Sequence, residues 1–168
     1  MLVTLDFVNI RFKHNKLQVL LLKRDNPKLP AHGEFTIIGG MVWEKPIDES
    51  ETYDENLEES VDRIFATKLG FTPSYMEQIP VKGCAKRDSR GWSVTLPHLC
   101  LSPSDKMNKF DNDKNYKWVD IEDIISNKIK LPFDHNELVK LSLESLKNKA
   151  KYSSVLLYLL SDYFIVSD

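Results

Sequence analysis

The sequence predicts an α+β protein whose helices and strands stack as an α/β/α sandwich, and three observations carry that prediction. Short runs dense in β-branched and aromatic residues recur along the chain. They alternate with two kinds of helical pattern, a charged amphipathic one near the middle and a largely apolar one near residue 155. The chain has 168 residues, 42% hydrophobic and 29% charged, which suits one domain with a real core. The formal net charge of −2 gives no general attraction to nucleic acid. No run reaches the length of a membrane span, and the first residues lack a basic-then-apolar signal. Cys84 and Cys100 sit in strand-like stretches with no cysteine cluster near them. They read as reduced core thiols, so a cytoplasmic protein is expected.

Leu2 to Phe12 reads as a strand and Leu17 to Lys23 as its partner, with His14-Asn15 supplying the turn. Lys23 and Arg24 close that run, and Asn26 to Gly33, with Pro27 and Pro30, is loop. Glu34 to Ile38 gives a short strand ending at Gly39-Gly40. Two glycines there allow a close approach of backbone or a positive φ. An acidic, proline-containing stretch spans Trp43 to Tyr53. Asp54 or Asn56 can then cap a helix whose apolar stripe is Leu57, Val61, Ile64, Phe65 and Leu69, stopped by Gly70. Glu55, Glu58, Glu59 and Asp62 fall on its opposite, solvated side.

Tyr75 to Val81 and Trp92 to Leu101 read as strands joined by Lys82 to Gly91. The joining segment holds Arg87-Asp88-Ser89-Arg90-Gly91-Trp92. Guanidinium forks suit diphosphate or ribose oxygens, and an indole stacks on a base. The alternative is a loop whose Arg-Asp pairs only fix its shape. Asn115 to Val119 is a further strand, and Ile121 to Ile125 a helical turn after an Asp120 cap. Asp134 is placed to cap the next helix, with Glu137 three residues on completing a capping box. His135 in its first turn reads as structural, and Tyr152 to Tyr163 as a last apolar helix.

The stretch Gly39 to Phe71, with its glycine pair, acidic loop, helix, Arg63 and closing Leu-Gly-Phe, resembles the Nudix box. Aligned on Arg63 and Gly70, Ile64, Thr67 and Lys68 occupy the positions of the family's three glutamates. Residues spaced i, i+3 and i+4 share one helix face, so three glutamates there would hold Mg²⁺. A methyl-rich side chain, a hydroxyl and an ammonium would not. Between Gly40 and Arg63 the chain is also nine residues longer than the box, within Trp43 to Tyr53. The resemblance thus implies no catalytic residues and no metal ligands. Mg²⁺ enters only under the alternative of an ADP-ribose pyrophosphatase with relocated carboxylates, Glu55, Glu58, Glu59 or acids of the longer loop.

The stretches TPSYMEQI, KRDSRGWSVT, LPFDH and KNKAKYSSVLLYLLSDYF narrow the resemblance. They are similar to the ADP-ribose pyrophosphatase-like domain of the Nudix-related transcriptional regulators of NAD metabolism (NrtR). That likeness implies a Nudix-type sandwich with a mixed sheet over residues 1–152. Residues 153–168 would lead towards a missing winged-helix DNA-binding domain. It implies a homodimer that binds ADP-ribose or a related metabolite without hydrolysing it and meets DNA only through that further domain. The implied ligand-binding residues are Arg24, Gly39, Gly40, Arg63, Arg87, Asp88, Arg90, Trp92 and Phe133.

Overall fold

A computed structural model describes residues 1–44 and 52–161. Seven strands form one sheet: β1 (Leu2–Lys13), β2 (Lys16–Lys23), β3 (Phe35–Met41), β4 (Tyr75–Gln78), β5 (Lys82–Cys84), β6 (Ser93–Leu101) and β7 (Tyr116–Asp120). Their order is β4-β6-β1-β3-β2-β7, with β5 also on β6. β1 and β6 run parallel while the other pairings are antiparallel, so the sheet is mixed, as expected. His14 and Asn15 both take positive φ, 55° and 59°, the primed turn that joins β1 to β2 without splaying them.

Side chains alternate along β1. Leu5 and Phe7 enter one core with α1 (Leu57–Lys68), while Val8 and Ile10 enter another with α3 (Ile121–Ile125) and α4 (His135–Ala150). Layers of helix therefore cover both faces, the predicted sandwich. Asn56 caps α1 by accepting the Glu59 N–H at 2.9 Å. Ile64, Phe65 and Leu69 are buried as the stripe predicts, and Gly70 has φ 82°. Leu57, placed in the same stripe, is 41% exposed because it sits in the first turn, beyond the sheet's cover.

Several local expectations give way to long-range contacts. Asp134 makes no side-chain cap at α4; its carboxylate is taken by Arg87, and Glu137 pairs with Lys82 at 3.0 Å. Asp120 likewise spends its carboxylate on Lys16 and Gln18 instead of capping α3. β5 forms inside the segment read as a loop, which puts Cys84 on the exposed edge; Cys100 is the buried thiol. Both are free, and burial pushes the Cys100 thiol up. A short helix, α2 (Ser104–Met107), and the 3₁₀ turn Asn108–Phe110 were not foreseen, yet Met107 and Phe110 enter the α1-side core. The expected helix from Tyr152 narrows to a 3₁₀ segment, Val155–Leu159; Tyr163 lies outside the described residues. Ser153 turns its hydroxyl back to the Lys149 carbonyl at 2.8 Å, which closes α4 before it. Val155 and Leu159 pack into the α4-side core, and Tyr158 stacks on Tyr75. Among the described residues, no helix is long and apolar enough to cross a membrane.

Candidate functional site

A cavity of about 350 Å³ opens where β1, the end of β2, β3, the second half of α1 and four loops meet. Arg24, Gly39, Gly40, Arg63, Arg87, Asp88, Arg90 and Phe133 all line it. Trp92 does not. Its ring is half exposed and lies over β5, close enough that a Cβ on Gly83 would come within 3.1 Å of it. The indole that reaches the cavity is Trp43, at the start of the longer loop. Local sequence favoured Trp92, which directly follows the arginine motif, over Trp43, which opens the longer loop.

The glycine pair is explained by close approach, since neither residue has positive φ. A Cβ on Gly39 would fall on the Asp6 carboxylate and lie 2.7 Å from the Leu5 carbonyl. A Cβ on Gly40 would press on Ile64 at 2.9 Å. Ile64, the first degenerate box position, is fully buried under that glycine. Thr67 turns its hydroxyl to the carbonyls of Arg63 and Ile64. Lys68 lines the cavity and donates to the Gly39 carbonyl.

The arginines differ in how fully they are used. Arg87 is buried and forks onto both Asp134 oxygens at 3.0 Å. It also reaches Asp6 at 3.4 Å and the Ser93 hydroxyl at 3.2 Å. Asp6 further accepts from Thr95 at 2.6 Å and faces the buried His135 ring, whose pKa burial lowers. Arg90 grips Asp88 through two nitrogens and holds that carboxyl below its ordinary value. The Arg90–Asp88 pair thus fixes the shape of this loop, and Arg87 ties the loop to Asp6 and Asp134. Arg63 binds both oxygens of Asp54 and lies 3.8 Å over the Trp43 ring. Asp54 also accepts the Trp43 N–H and the Ser60 hydroxyl, and Arg63 holds its carboxyl well below the usual range. This bracket ties the two ends of the longer loop together beside the cavity.

Arg24 stands apart. Its Nε donates to the Pro30 carbonyl at 2.8 Å and its guanidinium lies 5.3 Å from the Phe133 ring, with no carboxylate partner among the described residues. Burial, then the charge of Arg90, lowers its pKa. Phe133 itself holds φ at 58°, a left-handed backbone that costs a non-glycine residue about 1–2 kcal/mol and places its ring at the cavity wall.

The described residues do not suit a divalent cation. Among the described residues no three His, Cys, Asp or Glu side chains converge as a metal site. Glu55, Glu58, Glu59 and Asp62 are exposed and none lines the cavity. Of the acids of the longer loop, Glu44 is exposed and does not line the cavity, and those at 48, 49 and 51 lie outside the described residues.

No family model matches this sequence. It is 29% identical over 168 residues to the "ADPR responsive transcriptional repressor NtrR" of Acinetobacter baylyi, covering 99% of this chain and 63% of that protein. The chain thus spans less than two thirds of that relative's length. Its fold superposes on the crystal structure of Shewanella oneidensis NrtR with a TM-score of 0.83 and 34% identity, over 98% of this chain and 72% of that one. The Nudix domain of the same Shewanella protein, solved with ADP-ribose, matches with a TM-score of 0.66 and 31% identity, over 87% of this chain and 88% of that one. At 34% identity across 72% of the Shewanella chain, this protein belongs to the NrtR family and its domain is of the Nudix type.

Proposed function

We propose that the domain binds ADP-ribose or a related NAD metabolite in this cavity without hydrolysing it, as the sensor part of a transcriptional regulator of NAD metabolism. One observation carries the reading: Arg24 and Lys68, cations with no carboxylate partner among the described residues, share a cavity with two ring faces, Trp43 and Phe133. Such a lining suits a diphosphate flanked by a base. The three box positions offer no carboxylate, so binding needs no metal cofactor and cleavage has no Lewis acid at this helix. The names of the Acinetobacter and Shewanella relatives support the same ligand. In this reading the protein is a cytoplasmic homodimer, and DNA contact belongs to a winged-helix segment outside these residues.

The test is calorimetric titration with ADP-ribose in EDTA and in Mg²⁺, followed by analysis of the mixture for AMP. Binding in EDTA with ADP-ribose recovered intact is expected; absence of binding, or AMP formed with Mg²⁺, would overturn the reading. Trp43→Ala is expected to weaken ADP-ribose by roughly 10-fold or more, the worth of one base–aromatic stack. Ribose 5-phosphate, which has no base, should bind the variant as it binds the parent. An equal loss for both ligands would place the base elsewhere.

A further inference from the structure

The ammonium of Lys68 is held in an unusual setting. It lies half-buried over the Gly39–Gly40 backbone, at the C-terminal end of α1 and at the cavity wall. One of its three N–H groups goes to the Gly39 carbonyl, and it makes no other hydrogen bond among the described residues. The neighbouring cations are neutralised: Arg63 by Asp54, Arg87 by Asp6 and Asp134, Arg90 by Asp88. Lys23, also on the wall, is exposed and solvated. Among the described residues only Arg24 also lines the cavity half-buried without a carboxylate in hydrogen-bond reach, and its charge bears on Lys68. Burial, followed by the Arg24 charge, lowers the Lys68 pKa. A desolvated cation with no carboxylate partner gains most when an anion arrives, because the anion replaces the hydration already given up.

We propose that Lys68 is a resident countercharge for a bound diphosphate, so that the ligand binds as its metal-free anion and Mg²⁺ does not assist. Two free N–H donors on Lys68 and the terminal nitrogens of Arg24 meet the diphosphate oxygens from two sides of the cavity. The inference rests on the reading of the cavity as an ADP-ribose site, and it adds the source of the neutralising charge. An organism in which free Mg²⁺ varies would then read metabolite concentration alone.

The test compares the parent with Lys68→Met and Lys68→Gln by titration in EDTA and in Mg²⁺, using ADP-ribose, inorganic pyrophosphate and adenosine as probes. The parent is expected to bind ADP-ribose no more tightly in Mg²⁺ than in EDTA. Lys68→Met is expected to lose roughly 10- to 100-fold in affinity for ADP-ribose and for pyrophosphate, the worth of a charge-assisted hydrogen bond. Adenosine, which has no phosphate, should bind both alike. Lys68→Gln keeps a donor for the Gly39 carbonyl and should show the same loss if Lys68→Met fails to fold. Variants that bind both anions as the parent does would overturn the countercharge, as would parent binding that requires Mg²⁺. If the parent ignores ADP-ribose yet binds pyrophosphate through Lys68, the ADP-ribose reading fails and the countercharge stands.

Discussion

Replacing Arg87 with alanine is expected to lower the unfolding midpoint by on the order of 10 °C, the consequence of losing about 3–5 kcal/mol in a domain of this size. The guanidinium joins three distant pieces of chain: Asp6 on β1, Ser93 on β6 and Asp134 before α4. Its removal leaves two carboxylates close together, one of them buried, without the charge that lets them share the space. Arg87→Lys should recover only part of the loss, because one ammonium cannot fork onto both Asp134 oxygens. Thermal melts of both variants would measure this. A variant that melts like the parent but no longer binds ADP-ribose would mean that Arg87 meets the ligand directly. Arg87 lines the cavity with its hydrogen bonds turned to Asp6, Ser93 and Asp134, so a loss of binding that tracks the loss of stability is the expected result.

The second large effect comes from rebuilding the box. The triple change Ile64→Glu, Thr67→Glu and Lys68→Glu should cost several kcal/mol in EDTA, because position 64 is sealed from water beneath Gly40. Ile64→Glu alone should cost less, since Lys68 one turn later can pair with the new carboxylate. Mg²⁺ should then raise the melting point of the triple variant, by up to roughly 2.7 kcal/mol of stability at a hundredfold excess over its dissociation constant. The parent should not respond. A triple variant indifferent to Mg²⁺ would show that these three side chains do not converge, and the alignment on Arg63 and Gly70 would be wrong.

How far the sequence could be read depended on the range of the contacts involved. All strands but β5 announced themselves through β-branched and aromatic runs, and the His14-Asn15 turn through local chemistry. The Arg-Asp-Ser-Arg motif was visible as a cluster of forks, and its residues do reach the cavity. What the forks grip was not visible, because Asp6 and Asp134 are 81 and 47 residues from Arg87. The same long reach defeated the Asp134 capping box, where a local pattern lost its carboxylate to a guanidinium from another loop. Trp92 was preferred to Trp43 for being next to the arginines in sequence; the bracket of Asp54 and Arg63 that brings Trp43 to the wall is tertiary. Asp6 on the cavity wall and Thr95 behind it gave no local signal, since each is one of several polar residues spread along its strand.

The parallel pairing of β1 with β6 also governs how the chain must assemble. Leu2 to Ile10 meets Ser93 to Leu101 along nine successive positions, while β1 meets β2 and β3 from its other edge. A growing polypeptide can therefore form the first three strands early, but one whole edge of its central strand stays without a partner until residue 101 has been made. That edge is apolar and long, the kind of surface to which a second unfinished chain can attach. Closing a loop of some 90 residues before the second edge of β1 is paired makes this a slow-folding topology. Yield during synthesis, more than stability of the finished domain, is where substitutions in β6 would first be felt.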